Sequence, residues 1–296
     1  LDRLGVPRAV YDLVVTSGDA TQGALVAGLA GARVWHLGPA KDDTLFTDPA
    51  PEYAGGTMPE RVELAEADAI VCTGPFDDLT ETPAEYRARF LMARTRGLPM
   101  FCANPDLVVD YGTQRIHCAG SLAALYEEMG GETFYFGKPH PPVYDLAQRR
   151  LATHLGRDIP ADRILAIGDG PATDIAGAQG EGIDALFVTH AHEDHVGALL
   201  WLAGQGHDGP VWMSRETRDE MEATLRQYAW PGDLVHLPAV LPRIRILAAG
   251  DEIDLGAMRV GAGHTGHVAG GLWFSVVAGG VRLCCAVCRG VRDGDR

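Results

Sequence analysis

Short β-branched runs alternate with helical stretches through the first two thirds of this chain. Strand-like text occurs at residues 12–16, 33–37, 69–73, 100–103, 133–136, 164–168 and 183–189, with helical text between, as at 84–96, 119–128 and 143–155. The last stretch carries Val143, Leu146, Ala147, Leu151 and Leu155, an apolar stripe at about 3.6-residue spacing. Strands joined through helices pair by crossovers, so the expected fold is α/β with a doubly wound parallel sheet. After about residue 205 the texture changes. Strand-like runs crowd together at 211–213, 243–247, 258–261, 272–277 and 281–285, with a helix at 215–228 as the main interruption. Gly279-Gly280 between two apolar runs signals a hairpin.

The net charge of −15 argues against a surface that coats nucleic acid, though a local basic groove stays open. No run approaches the roughly 18 apolar residues of a membrane helix, and no secretory signal opens the text. Six irregularly spaced cysteines do not read as a disulfide framework, so a reducing cytoplasm is the expected compartment. The opening at Leu1 reads as the tail of a helix, and the chain is expected to be part of something longer. No protein partner is indicated.

Two constellations carry chemistry. In the first, the strand-like run 164–168 ends in Gly168-Asp169-Gly170, with Thr173-Asp174 just beyond. A carboxylate at the carboxyl end of a parallel strand sits where such sheets bind ligands. Gly137-Lys138-Pro139 follows the run 133–136 and places a cation at a similar edge. A lysine beside carboxylates suits a phosphate–Mg²⁺ site; equally, Asp174 can cap a helix and Lys138 can be a solvated loop residue. The texts FCANPDLVVD, CAGSLAALYEEMGG, FYFGKPHPPVYDLA and ILAIGDGPATDIAGAQGEGIDALFVT together resemble the haloacid dehalogenase (HAD) superfamily, class IIA, over roughly residues 1–189. The resemblance implies that Lys138 contacts phosphate, that Asp169 ligates Mg²⁺ and that Asp174 supports it. It further implies an α/β cap at about 17–132 and core elements at 1–16 and 133–186. Asn104-Pro105-Asp106 is either a pocket lining or a turn. The family's Asp-x-Asp nucleophile and its Ser/Thr motif would precede Leu1, so this half is expected to lack phosphatase turnover.

The second constellation is HAHEDH, following the apolar text LFVT. His190 and His192, two apart in extended chain, share a side, and Asp194 and His195 turn into a helix. Three imidazoles and a carboxylate within six residues match the ligand preferences of Zn²⁺. This text resembles the metallo-β-lactamase superfamily, β-CASP nuclease branch, over roughly residues 184–288. The resemblance assigns His190 and His192, completed by His267 in GHTGHVAGG, to a first metal and Asp194 with His195 to a second. Asp194 would orient a metal-bound hydroxide, and one or two zinc ions would act on a phosphodiester, RNA included. The family's bridging aspartate aligns near Cys288, whose thiolate is the available substitute.

Taken together, the expectation is a HAD-like region at 1–186 joined, within Leu186–Thr189, to a partial metallo-β-lactamase-like sandwich at 187–296. The expected function is a metal-dependent hydrolase, with a zinc phosphodiesterase or nuclease site foremost. A Mg²⁺-dependent small-molecule phosphatase and an inactive, marginally stable hybrid of two truncated genes are the alternatives.

Overall fold

The computed structural model describes residues 11–111, 114–161, 164, 166, 171–182, 186–197, 199–229, 232–256, 258–266, 268–278 and 281–285. The chain divides into two compact units, Leu1–Ile159 and Pro160–Arg296.

The first unit begins with α1 (Ser17–Val26), whose start is fixed by a capping box. The Thr16 hydroxyl accepts the Asp19 N–H at 3.0 Å, and the Asp19 carboxylate accepts the Thr16 N–H at 3.1 Å. There follow β1 (Arg33–Leu37), β2 (Glu60–Arg61), β3 (Ala69–Cys72), α2 (Arg87–Thr95), β4 (Met100–Cys102), β5 (Val108–Tyr111), β6 (Gln114–His117), α3 (Ala119–Glu128), β7 (Thr133–Tyr135) and α4 (Pro141–Leu155). Five strands pair in parallel in the order β2-β1-β3-β4-β7, and β5 with β6 forms a separate antiparallel hairpin.

Strand alternation splits the core between the two faces of that sheet. Leu37, Ile70, Cys72 and Met100 pack with Phe90 of α2 and with Leu122 and Tyr126 of α3. Val34, Ala69, Val71 and Phe101 pack with Ala20, Ala24 and Leu25 of α1 and Leu146 of α4. Helices on both faces make the sheet doubly wound, as the alternation of runs anticipates. The strand order reverses between β1 and β3, so a crevice opens beyond their carboxyl ends.

Three local expectations change. Residues 12–16 form no strand; Thr16 serves instead as the helix cap. β7, read above with the core elements 133–186, is an edge strand of the same sheet as β1, β3 and β4, pairing Phe101 with Phe134. The run 84–96 opens as a 3₁₀ turn before α2, because Pro83 enters behind a Thr82–Glu85 capping box. The run 164–168 lies largely outside the described residues.

The second unit holds β8 (Leu186–Phe187), α5 (Glu193–Val196), α6 (Leu199–Gly204), β9 (Val211–Met213), α7 (Arg215–Tyr228), β10 (Ile244–Ile246), β11 (Glu252–Asp254), β12 (Met258–His264), β13 (Leu272–Ala278) and β14 (Val281–Cys285). β10, β9 and β8 form a parallel sheet, and β11 to β14 an antiparallel one. Val188, Val211 and Met213 face Leu199 and Leu200 of α6 and Met221 and Leu225 of α7. On the other side Phe187 and Trp212 pack with Leu272 and Phe274 of β13, and the Phe187 and Phe274 ring centroids are 5.3 Å apart. The unit is therefore helices on a parallel sheet on an antiparallel sheet, part of an αβ/βα sandwich. β13 and β14 pair from Ala278↔Val281, as the hairpin signal implies; Gly279 and Gly280 themselves lie outside the described residues.

Candidate functional sites

The strand expected over 183–189 pairs as a strand only at Leu186–Phe187 among the described residues. The Val188 N–H still donates to the Trp212 carbonyl at 2.8 Å. At Thr189 the backbone changes partner: its carbonyl accepts the Leu272 N–H at 2.8 Å, where β13 begins. That switch releases the next residues from the parallel sheet and turns them into the short helix α5. The result is a buried loop with three imidazoles. His190 is 2% exposed and Thr189 7%; His195 is half-buried and His192 exposed.

The ring nitrogens converge. His190 Nε2 lies 3.0 Å from His192 Nδ1. Thr189 Oγ1 lies 3.0 Å from His190 Nδ1 and 3.2 Å from His195 Nδ1. The His190 ring centroid is 4.5 Å from that of His192 and 4.0 Å from that of His195. Two nitrogens bound to one tetrahedral zinc at about 2.0–2.1 Å stand about 3.3 Å apart. The facing pair of His190 and His192 is close to that separation, so these two donors fit a shared metal. Asp194 falls in α5, but its side chain, like all of Asp169, His267 and Cys288, lies outside the described residues. Among the described residues no group of three or more His, Cys, Asp or Glu is gathered as a metal cluster. Asp174 sits half-buried in the π-type turn Pro171–Ile175. His264 ends β12 and is exposed.

In the first unit Lys138 follows β7, exposed, just after Gly137. Gly137 is required by close approach: a Cβ there would come 2.4 Å from the Pro105 ring and 3.2 Å from Ser17. Ser17, Asn104-Pro105 and Gly137 thus meet at one end of the sheet. An open cleft of about 540 Å³ lies there, lined by Ser17, Gly18, Thr73 and Asn104 and by the carboxylates Asp19, Asp42 and Asp48. Sequence reading singled out Asn104 alone of these; the Thr16-x-x-Asp19 box was the available signal for Ser17. An acidic lining disfavours a bare phosphate dianion unless a cation enters with it. A larger cleft of about 870 Å³ lies between α1 and α4, where Arg150 pairs with Asp19 at 2.7 Å and Glu52 at 2.5 Å.

Behind Thr73, His36 of β1 is largely enclosed, with its Nε2 3.1 Å from Thr73 Oγ1 and its Nδ1 3.5 Å from Asp43. Burial lowers its pKa, and the neighbouring Asp43 carboxylate does not offset it. The unfolded chain then binds more protons than the folded one as pH falls below the ordinary histidine value of about 6.5. The contribution of His36 is therefore fully present above that pH and lost as pH falls toward the lowered folded value. Urea midpoints measured at several pH values for the parent and for His36→Gln should keep a constant separation above about pH 6.5, with the parent losing stability relative to the variant as pH falls below it. Parallel curves would remove His36 as the cause.

Residues 135–197 match the HAD-hydrolase-like family, a stretch that runs from β7 through His195. A haloacid dehalogenase-like hydrolase from Brucella suis 1330 is 41% identical, with a TM-score of 0.56 over 64% of this chain and 66% of that one. A ribonuclease of Thermus thermophilus is 35% identical over 121 residues, 38% of this chain and 27% of its own length. The transcription termination factor FttA of Methanocaldococcus jannaschii is 48% identical over 48 residues, 16% of this chain and 8% of its own. The chain resembles both HAD hydrolases and β-CASP nucleases. It spans just under two thirds of the Brucella hydrolase and about a quarter of the Thermus ribonuclease. The HAD resemblance agrees with the doubly wound sheet of the first unit, and the β-CASP resemblance with the metallo-β-lactamase-like reading of the histidine loop.

Proposed function

We propose that the chain is a zinc-dependent hydrolase of phosphodiesters, with its site at His190, His192, Asp194 and His195 and with RNA as the substrate class. The facing nitrogens of His190 and His192 carry this reading. Zinc bound there supplies a Lewis acid that lowers the pKa of a water and polarises a phosphoryl oxygen. His190 anchors the site from the buried side, and exposed His192 forms its solvent-facing wall. By the metallo-β-lactamase resemblance, Asp194 would orient the attacking water and His267 would complete the ligand set. The similarity to a ribonuclease supports a polyanion as substrate. The cytoplasm is the proposed compartment, in keeping with the free, buried thiols of Cys72 and Cys102.

Elemental analysis of the full chain, refolded with zinc, should give about one zinc per chain. His154→Ala, which alters an exposed histidine of the first unit, should leave that content unchanged. A refolded chain carrying no transition metal would end this reading. Hydrolysis of bis(p-nitrophenyl) phosphate and of a single-stranded RNA oligonucleotide then tests the substrate class.

The identity to the Brucella hydrolase favours a second reading for the other constellation. Lys138, exposed just after β7, would contact the phosphate of a small monoester. The acidic cleft beside Ser17 and Asn104 is consistent with a substrate that arrives together with a divalent cation.

A further inference from the structure

We infer that Thr189 is a positioning residue of the histidine site, its one hydroxyl oxygen fixing the tautomers of two rings at once. The inference rests on the zinc reading above. A neutral imidazole has one N–H and one lone pair, and only the lone pair can bind a metal. The ring must therefore carry its proton on the nitrogen turned away from the metal, and a buried N–H there needs an acceptor. Thr189 Oγ1 lies 3.0 Å from Nδ1 of His190 and 3.2 Å from Nδ1 of His195. A hydroxyl oxygen has two lone pairs. It accepts Nδ1–H from both rings, which assigns the lone pair of each to Nε2. For His190 that assignment matches the geometry, because its Nε2 is the nitrogen facing His192 Nδ1 at 3.0 Å.

Thr189 is itself held in place. Its side chain is buried, and its carbonyl accepts the Leu272 N–H at the start of β13. Its oxygen is thus a fixed reference point for both rings rather than a mobile hydroxyl.

The test uses the full chain with Thr189→Val, which keeps the shape and removes the oxygen, and Thr189→Ser, which keeps the oxygen. Zinc affinity is read by chelator competition, and ring tautomers by ¹⁵N NMR of histidine-labelled protein. Thr189→Val should bind zinc about 10–100-fold more weakly, with an altered absorption band for bound Co²⁺, while Thr189→Ser should stay close to the parent. In the zinc-loaded parent, His190 and His195 should both be Nδ1–H tautomers. Parental affinity and an unchanged Co²⁺ band in Thr189→Val would overturn the role of Thr189 and leave the zinc reading standing. A parent that takes up no zinc overturns that reading and this inference with it. Should the valine variant fail to fold, the parental tautomers decide: an Nε2–H form of either ring overturns the inference.

Discussion

Changing His192→Ala should weaken zinc binding by the full chain about 60- to 700-fold. Structural zinc sites carry about 10–16 kcal/mol of binding free energy; spread over four ligands this is about 2.5–4 kcal/mol for each. At about 1.4 kcal/mol per tenfold, that gives the stated range. His192 is the right ligand to remove because it is exposed and its loss should not open the core, whereas His190 is buried beneath it. Competition against a chromophoric chelator measures the effect directly. An affinity within a few-fold of the parent would show that His190 and His192 face each other for a reason other than metal.

The second large effect belongs to the first unit. Phe90 is fully buried between two tyrosines, its ring centroid 5.9 Å from that of Tyr86 and 5.3 Å from that of Tyr126. The outer members of this aromatic row are pinned by hydrogen bonds. Tyr86 accepts the Phe76 N–H at 2.8 Å, and Tyr126 donates to the Leu98 carbonyl at 2.6 Å. Neither ring can slide far to fill a hole left at Phe90. Phe90→Ala should cost about 3–5 kcal/mol, or about 6–20 °C in the unfolding midpoint of a unit this size. Leu91→Ala, at a neighbouring position of α2 that is 54% exposed, should cost almost nothing. Scanning calorimetry on both variants tests the contrast, and comparable midpoints would mean that the row is not held as rigidly as its hydrogen bonds indicate.

Much of this fold was legible in the sequence. Arg33–Leu37, Ala119–Glu128, Val211–Met213, Arg215–Tyr228 and Val281–Cys285 fall where period and β-branching put them; the first four bury one face or both and so write their geometry into the apolar pattern. Residues 12–16 misled for the same reason: Leu13, Val14 and Val15 look like a strand, but none of the described strands pairs with them, and Thr16 is claimed by the cap of α1. The β5–β6 hairpin went unread because it is short and Val108 and Val109 are exposed, leaving little alternation to detect. At the histidine loop, residue types and spacing announced the ligand-type side chains. They could not announce Thr189, whose importance arises from a three-dimensional coincidence, two Nδ1 atoms reaching one oxygen across one turn of chain. The cleft at Ser17, Thr73 and Asn104 was hidden likewise, since its walls come from distant stretches brought together by crossovers.

The bond from Leu272 to Thr189 has a consequence for where this sheet tolerates added length. The connection from β12 to β13 is tied at both ends, since the Thr265 N–H donates to the Gly271 carbonyl and the next residue, Leu272, is fastened to the histidine loop. An insertion between 265 and 271 would have to bulge outward while leaving both attachments in register. In the turn from β11 to β12 the Leu255 N–H donates to the Met258 carbonyl at 2.8 Å, and exposed Gly256 takes a positive φ of 78°. A tag, an epitope or a reporter loop placed there should leave the histidine loop undisturbed, because exposed turns accept insertions that packed connections refuse.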